Sequence, residues 1–393
     1  MLYQLSYRPG SAARKAAFAE GACFALLSRL SQDNIALHLG FKLLEANRAP
    51  RHVTITSMRV GIIGTGAISH KHARAYANIG YEVVACTDFH AESAHAFAER
   101  YGCEFVPNYE ELCRHPRVDY VDVCTFPEFR LEPVVLCAQA KKHIQVQKPM
   151  ATNLDTAGSM IETARNAGIQ LGVVSQHRFD DSTQFLHRAL CDGRLGKILQ
   201  ADAYVKWYRS PAYYSRPIKG SWKTEGGGAL IIQAIHQVDV LLWLMGGVQE
   251  LFGYWQLAAR HNIESEDVLA AVLKYSSGAT GVIQASTAFW PGHTERIEIH
   301  GTKGTAIITG DKLTAWQVEN DGGEPAPVSY DYATAATDPM ATALTPFERQ
   351  FIDFGEAIRS GRKPLSSGVD GYRALEVVTA IYDSCRKGNV VRL

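Results

Sequence analysis

Two side chains of this sequence combine a nitrogen that can carry a proton with a position suited to acid–base chemistry. Lys148 follows the strand-like run HIQVQ, and His236 lies in the apolar run ALIIQAIHQVD, directly after three glycines. Histidine suits proton transfer because its unperturbed pKa of about 6.5 lies near neutral pH. A partly desolvated lysine can acquire a lowered pKa and share the proton. Each residue also has a structural interpretation, as a solvated surface lysine or a packed helix histidine.

The helix predicted over residues 229 to 245 determines where His236 points. Most of its apolar residues form one broad stripe, whereas Ile232, His236 and Asp239 share another face at helical spacing. His236 should therefore project away from the main stripe. Ile232 is apolar at the position, one turn earlier, where a polar partner would be useful. Asp239 is expected to be a structural partner at the far turn.

A second motif, GIIGTGAIS at residues 61 to 69, follows a strand and opens a helix, as a dinucleotide-binding turn requires. The expected cofactor contacts are Gly64, Gly66, Ala67 and Ile68. Asp88 closes the next strand, where a carboxylate accepts hydrogen bonds from ribose hydroxyls and repels a 2′-phosphate. This favours NAD over NADP. The alternatives are a plain glycine turn and an aspartate that caps the following helix.

These residues must be positioned by two different sheets. From Met58 to about residue 177, short apolar runs alternate with helical stretches, which predicts a doubly wound parallel α/β sheet. From Arg178 to the C-terminus, strand-like runs follow one another without intervening helices, which predicts an open, mainly antiparallel sheet. The last two helical segments are expected to return to the junction between the domains. Residues 1 to 57 are interpreted as an extension outside the fold.

The motifs resemble one family in order and spacing, the glucose-fructose oxidoreductase/inositol dehydrogenase (Gfo/Idh/MocA) family. They are Gly64-x-Gly66, Asp88, Gln147-Lys148-Pro149, Gln176-His177-Arg178-Phe179, and the glycines 226 to 228 with His236 and Asp239. The resemblance covers Met58 to the C-terminus. It implies a Rossmann domain that carries NAD or NADP, and an α/β domain whose open sheet often serves oligomerisation. It also implies a sugar, polyol or glycoside bound at the domain junction.

The resemblance places the family's lysine on Lys148 and its helix histidine on His236, as the catalytic pair. We expect His236 to be the principal general acid/base and Lys148 its partner, with the reverse assignment almost equal. Gln176 and Lys148 are expected to contact the cofactor. The expected substrate contacts are Arg178, Trp207, Tyr208, Trp222, Gln233 and His236. The tyrosines at 213 and 214 could also stack on a substrate or belong to the core.

Three positions depart from the family pattern. Ile232 replaces an aspartate or asparagine, Gln147 replaces a glutamate, and Leu131 replaces a histidine. Because Ile232 cannot take part in proton transfer, the sequence does not determine the route of the proton or the reaction that the site performs. A redox-neutral glycoside hydrolase that recycles NAD is one alternative to a dehydrogenase, and a non-catalytic nucleotide-binding regulator is another.

Composition narrows the partners. The 393 residues carry 40 basic and 40 acidic side chains, so no overall basic field attracts nucleic acid or anionic lipid. No apolar run was expected to reach the roughly 18 residues of a membrane span. The eight cysteines and fourteen histidines show no metal-ligand spacing, and His70 and His72 are expected at the surface or the cofactor edge. We expect a cytoplasmic homodimer or homotetramer without a metal.

Overall fold

The computed structural model describes residues 57–393 except 217, 259–261, 333 and 339–340. Apart from Ser57, the predicted extension therefore lies outside the described residues. The described chain contains two sheets that share a continuous hydrophobic core. The predicted boundary at residue 177 stays a prediction.

The first sheet is parallel, and its six strands have the order β3-β2-β1-β4-β5-β6. The strands are β1 (Arg59–Ile63), β2 (Glu82–Thr87), β3 (Glu104–Phe105), β4 (Tyr120–Val123), β5 (His143–Val146) and β6 (Leu171–Val173). The connecting helices are α1 (Ala67–Asn78), α2 (Ala91–Tyr101), α3 (Tyr109–Arg114), α4 (Leu131–Gln139) and α5 (Leu154–Ala167). In such a sheet, ligands bind where the strand order reverses, here between β1 and β4. The doubly wound parallel sheet is confirmed.

The second sheet has eight strands in the order β13-β12-β11-β7-β10-β9-β8-β14. They are β7 (Ile198–Lys206), β8 (Val248–Gln256), β9 (Val268–Tyr275), β10 (Thr280–Ser286), β11 (Arg296–Gly301), β12 (Gly304–Thr309), β13 (Lys312–Val318) and β14 (Val391–Arg392). The mainly antiparallel prediction is confirmed, with one exception. β7 pairs with β10 in parallel, and the chain between these two strands contains two α-helices and the strands β8 and β9.

The helices of this half are α6 (Asp181–Cys191), α7 (Trp222–Glu225), α8 (Ile235–Met245), α9 (Thr345–Ser360) and α10 (Gly368–Lys387). The segment Trp222–Met245 has the length and mean hydropathy, 1.5, of a membrane span, which the sequence analysis did not expect. Of its most apolar window, 67% is buried within the fold. This is the environment of a core helix, so the apolar character of the segment is explained by packing.

The C-terminal helices complete the core of the parallel sheet. Phe347, Phe351 and Phe354 of α9 pack in one buried cluster with Val60 and Ile62 of β1. α10 packs against α5, α8, β6 and β8, so it touches elements of both sheets. The last fifty residues of the chain thus pack against β1 and β6 of the parallel sheet.

Candidate active site

The glycine turn after β1 has the geometry of a phosphate cradle. Gly64 has a φ of +93°, and a Cβ there would lie 2.9 Å from the main-chain nitrogen of Thr125, which follows β4. A Cβ at Gly66 would meet nothing within 4 Å, and no side chain caps the N-terminus of α1. The main-chain N–H groups at Ala67 and Ile68 therefore open towards a space that suits a pyrophosphate. Ser69 is buried and donates to the Gly66 carbonyl at 2.6 Å, as a small residue at this position should.

Asp88 lies directly after β2 and holds this turn. Its Oδ2 accepts hydrogen bonds from the main-chain N–H of Thr65, at 2.6 Å, and from the Thr65 hydroxyl, at 3.1 Å. Its Oδ1 accepts from the N–H of His90, the residue that precedes α2. The capping role and the ribose-binding position are therefore compatible. The carboxylate is fixed beside the cradle, with lone pairs left for a ribose hydroxyl.

Two buried polar atoms near the turn lack a partner among the described residues. They are the Thr125 hydroxyl, beside Gly64, and Oε1 of Gln176, in the 3-10 turn Gln176–Phe179 that follows β6. Buried polar atoms are nearly always hydrogen-bonded, so unpaired atoms at the ends of strands of the parallel sheet suit polar contacts with a ligand. Together with the open glycine cradle, they fit a dinucleotide. The sequence predicted Gln176, whereas Thr125 was missed because a threonine after a strand has no distinctive pattern.

Lys148 follows β5 and reaches across to the second half of the chain. Its Nζ donates a hydrogen bond to the main-chain carbonyl of Ile232, at 2.7 Å. Burial, and then the positive charges of Lys219 and Arg130, lower the pKa of Lys148 from 10.5 to about 7. An amine of this kind can both take and return a proton near neutral pH.

Arg130 clamps the loop that carries Lys148. Its guanidinium is buried and donates to the carbonyls of Gln147 and Pro149, on either side of the lysine, and to the carbonyl of Thr125. No sequence pattern indicates this role, since the acceptors of Arg130 are main-chain oxygens, and two of them are 17 and 19 residues away. Its position explains how the lysine is held close to an uncompensated positive charge.

Gln147 connects Lys148 to a buried polar chain. Its side chain hydrogen-bonds His72 Nε2 at 2.7 Å and accepts from the main-chain N–H of Lys148 at 3.2 Å. His72 Nδ1 lies 2.6 Å from Asp122 Oδ2, which also accepts from Tyr76. His72 is fully buried, which corrects the prediction of a surface or cofactor-edge residue. Asp122 and Cys124 approach it within reach of a shared cation, but both ring nitrogens are already engaged.

The predicted helix over residues 229 to 245 begins with a π-helical turn, Ala229–Ala234, and continues as α8. The glycines before it permit close packing. A Cβ at Gly228 would collide with the main chain of Glu266, and one at Gly227 with the hydroxyl of Tyr382. π-helical turns inside helices occur frequently at functional sites. The periodicity alone could not predict this turn, because one residue per turn is added without any change in apolar pattern.

His236 lies in the first turn of α8 and is half-buried. Burial, and then the charges of Lys148 and His177, lower its pKa well below the ordinary value. Its ring meets the ring of His177 edge to face, with centroids 5.3 Å apart. His177 was not predicted as a site residue. The structure thus brings Lys148, His236 and His177 together beside the turn at Gln176.

Comparison with known proteins identifies the family of the chain. The model described as "Oxidoreductase family, NAD-binding Rossmann fold" matches residues 58–175, and the GFO/IDH/MocA C-terminal domain matches residues 183–307. The chain belongs to the GFO/IDH/MocA family. It is an NAD-binding oxidoreductase, as the sequence analysis predicted.

Relatives of this GFO/IDH/MocA member cover nearly all of the described chain. Myo-inositol 2-dehydrogenase of Thermotoga maritima is 29% identical, over 86% of this chain and 98% of the relative. D-Glucoside 3-dehydrogenase of Escherichia coli is 27% identical, over 87% and 99%. The crystal structure of the WlbA dehydrogenase from Bordetella pertussis, in complex with NADH and UDP-GlcNAcA, is similar with a TM-score of 0.75. It is 28% identical and covers 86% of this chain and 99% of that one.

Arg178 of this oxidoreductase is part of the fold, which corrects its prediction as a substrate contact. Its guanidinium is buried and forms a two-point ion pair with Asp239, with both N–O distances at 2.7 Å. A third nitrogen donates to the carbonyl of Leu365 and lies 3.4 Å from Asp370. The pair joins the turn after β6 to α8 and α10. The expectation that Asp239 is a structural partner agrees with this geometry.

Two more predicted substrate contacts also belong to the interior. Trp207 is 4% exposed, and its indole N–H donates to Glu295 at 3.0 Å. Gln233 is buried between Arg209, which donates to its Oε1, and the hydroxyl of Tyr213, which accepts from its Nε2. These contacts correct both predictions, since neither side chain presents a free face. Tyr208 is only partly buried and meets the exposed Trp290 edge to face.

Trp222 begins α7, which ends directly before the three glycines. Its ring packs against Trp255 and Tyr382, at centroid distances of 5.1 and 5.0 Å, and its N–H donates to the carbonyl of Glu264. That Trp222 lines the cleft stays a prediction. The neighbouring Lys219 acts on the pKa of Lys148, and it is paired with Glu225 at 2.6 Å and packed over the rings of Phe126 and Tyr213.

Proposed function

We propose that this chain is an NAD-dependent dehydrogenase that oxidises a secondary hydroxyl of a sugar, cyclitol or glycoside. The proposal rests above all on Lys148, which follows β5 and has a pKa of about 7. His236 of α8 lies beside this amine. Oxidation of an alcohol needs a base to take the hydroxyl proton as hydride leaves the carbon. The names of relatives, among them inositol, D-apiose and D-glucoside dehydrogenases, support the substrate class.

Lys148 is the principal general base in this proposal, and His236 is its partner. This reverses the order favoured by the sequence. A base is most effective when its pKa lies near the working pH, and the pKa of His236 is held well below that range. A neutral imidazole at this position can still hydrogen-bond the substrate hydroxyl. The two residues then orient the same oxygen from different sides.

The residues around the glycine turn would hold the dinucleotide. NAD, when bound, supplies the acceptor for the hydride. The N–H groups of Ala67 and Ile68 would bind pyrophosphate, Asp88 the ribose hydroxyls, and Gln176 Oε1 a donor of the nicotinamide side. The favoured cofactor is NAD, because the Asp88 carboxylate would repel a 2′-phosphate.

The substrate-facing wall is mixed in character. Ile232 is partly exposed and apolar, whereas Lys219 and Tyr213 supply polar atoms nearby. An apolar side chain at 232 would favour a substrate with a C–H face or an aglycone there. Trp207 and Gln233 no longer belong to the proposed wall, since both are buried.

The test is reduced-nicotinamide absorbance with the full-length protein and NAD, across free sugars, cyclitols and aryl glycosides. The product of each reaction is analysed in parallel, and NAD binding is measured by fluorescence titration. We expect NADH to accumulate with one substrate class, and Lys148→Met to abolish this while still binding NAD. Release of an aglycone without NADH would indicate the NAD-recycling hydrolase. Binding of NAD without any turnover would indicate a regulator.

We further propose that the outer face of the second sheet joins two copies of the chain. Tyr254 is 71% and Val272 55% exposed on adjacent strands, and Val272 lines a groove together with Phe252, Val282 and Val390. The neighbouring Lys274 and Glu250 pair at 3.3 Å, so a second copy would meet little uncompensated charge. Light scattering after size exclusion should give a dimer or tetramer mass, and Val272→Glu should lower it.

The seven described cysteines are free thiols, which suits the cytoplasm.

A further inference from the structure

The ammonium of Lys148 is oriented by a main-chain atom and not by a side chain. Its acceptor is the carbonyl oxygen of Ile232, at 2.7 Å, and the side chain of that residue has no polar atom. A carbonyl oxygen has two lone pairs, so it can accept from the lysine in addition to a helical N–H. The direction in which Lys148 points therefore depends on how the backbone at residue 232 is held.

That backbone belongs to the π-helical turn Ala229–Ala234, and a buried carboxylate holds its start. Glu266 Oε2 accepts from the N–H of Gly228 and Oε1 from the N–H of Leu230, both at 2.9 Å. Its main-chain carbonyl accepts from the N–H of Ala229 at 3.0 Å. One residue thus binds three consecutive N–H groups at the beginning of the turn.

Tyr382 of α10 completes the arrangement. Its hydroxyl donates to Glu266 Oε1 at 2.9 Å and accepts from the N–H of Ile231 at 3.3 Å. The same hydroxyl fills the space that a Cβ at Gly227 would need. Residues 228 to 231 are therefore bound at every N–H group, all from outside the helix, by Glu266 and Tyr382.

Glu266 is a carboxylate without a cation partner among the ion pairs of the described residues. It is 3% exposed, and burial, partly opposed by its hydrogen bonds, raises its pKa to about 7. Burying such a group costs free energy unless it is well bonded. A neutral amide side chain would be an easier choice for structure alone, although it could not accept two N–H bonds on separate oxygens.

We propose that Glu266 and Tyr382 are positioning residues for Lys148, because they fix the π-helical turn whose Ile232 carbonyl binds the lysine ammonium. The inference rests on the proposed role of Lys148 in proton transfer. It predicts that changes at two residues that do not touch the lysine alter its protonation. The charged and titratable groups around the lysine, namely Lys219, Arg130, Glu225, Arg209 and His236, are not themselves substituted in these variants.

The experiment measures the protonation of Lys148 without turnover. The full-length protein is labelled with acetic anhydride across a pH series, and acetylation of Lys148 is quantified by mass spectrometry. The midpoint of labelling with pH, not its extent, reports the apparent pKa. Glu266→Gln removes one acceptor oxygen from the turn, so the ammonium loses its partner and the midpoint falls. A fall of one unit from about 7 raises labelling at about pH 6 roughly fivefold.

Tyr382→Phe should also lower the labelling midpoint of Lys148, by less than Glu266→Gln does. If Glu266→Gln does not fold, Tyr382→Phe still tests the proposal. Asp353→Asn is the control, because Asp353 is another largely buried carboxylate, and it binds the main-chain N–H of Leu365 and the guanidinium of Arg362. It should leave the midpoint unchanged. Unchanged midpoints in both Glu266→Gln and Tyr382→Phe, with lowered melting temperatures, would overturn the proposal. Full activity of Lys148→Met would instead remove the proposed catalytic role and leave the labelling result standing.

Discussion

His177 and His236 lie edge to face, with ring centroids 5.3 Å apart and planes at 88°. Asp180 binds Nδ1 of His177 at 2.8 Å. Burial opposes the charged form of His177, but the charge of Asp180 and its hydrogen bond raise the pKa above the ordinary value. The pKa of His236 is lowered by burial first and then by the charges of Lys148 and His177, so the contact with His177 favours the neutral form of the His236 ring.

Replacement of His177 by phenylalanine tests this electrostatic role, because it keeps an aromatic ring and removes the charge. The pKa of His236 should rise towards the unperturbed value of about 6.5. Histidine ring-proton NMR measures it, and His236→Asn identifies the resonance. An unchanged titration of His236 would show that His177 acts only through packing.

The rate of alcohol oxidation should fall on the acid side of about pH 7, because Lys148 must be neutral to accept the proton. Below this pH, kcat/KM should decrease about tenfold per unit as the amine becomes protonated. Lys148→Met should lower kcat/KM by about 10² to 10⁴ and leave the dissociation constant of NAD unchanged. An acid limb with its midpoint near pH 5 would point to a different base.

Lys148 should also make the fold less stable at neutral pH. Its folded pKa of about 7 lies below the ordinary value of 10.5, so the unfolded chain binds more protons between these values. The free energy of unfolding should therefore increase with pH across this window, and Lys148→Met should lack this contribution. Urea unfolding of both proteins at several pH values measures the difference. Parallel stability curves for the two proteins would contradict the lowered pKa.

Gln147→Glu should raise the pKa of Lys148 by placing a carboxylate next to its main chain. The new charge would lie between His72 Nε2, now 2.7 Å from the glutamine amide, and the N–H of Lys148. The acid limb of kcat/KM should move up by about one unit. Gln147→Met is the uncharged control, and a limb that moves equally in both variants would exclude a charge effect.

Asp88→Asn should reduce the preference for NAD over NADP by about tenfold or more, since it removes the charge that repels a 2′-phosphate. Asparagine keeps an oxygen for the N–H of Thr65, so the turn should persist. Fluorescence titration with each dinucleotide gives the two dissociation constants. Thr65→Ala is a suitable control for loss of the side-chain bond alone. An unchanged ratio in Asp88→Asn would mean that Asp88 serves only the turn and the cap of α2.

Local sequence patterns were sufficient to predict the parallel sheet and the mainly antiparallel sheet. Strand ends with glycine, aspartate or lysine pointed to the turn at Gly64, the carboxylate at Asp88 and the proposed base at Lys148. These signals are local, because a parallel sheet places the carboxyl ends of its strands on one edge whatever their distance along the chain. The alternation of strand and helix predicted a parallel sheet, whereas the order of its strands comes from the pairing in the structure.

The contacts that the sequence did not indicate join residues that are far apart along the chain. Arg178 pairs with Asp239, 61 positions away, and Trp222 packs against Tyr382 on the last helix. No pattern in a single segment indicates such a partner. The π-helical turn was missed for a related reason, since Glu266 and Tyr382 hold it from outside.

The aromatic residues of α9 have a consequence for the order in which the chain can fold. Phe347, Phe351 and Phe354 fill the core beside β1, although β1 begins at Arg59. During synthesis, domains usually fold from the N-terminus as they emerge. Here the nucleotide-binding half leaves the ribosome with an open apolar face and keeps it until nearly 300 further residues have been added. The cell must shield that face for the intervening time, and a chain interrupted before residue 345 would be a natural substrate for chaperones and proteases.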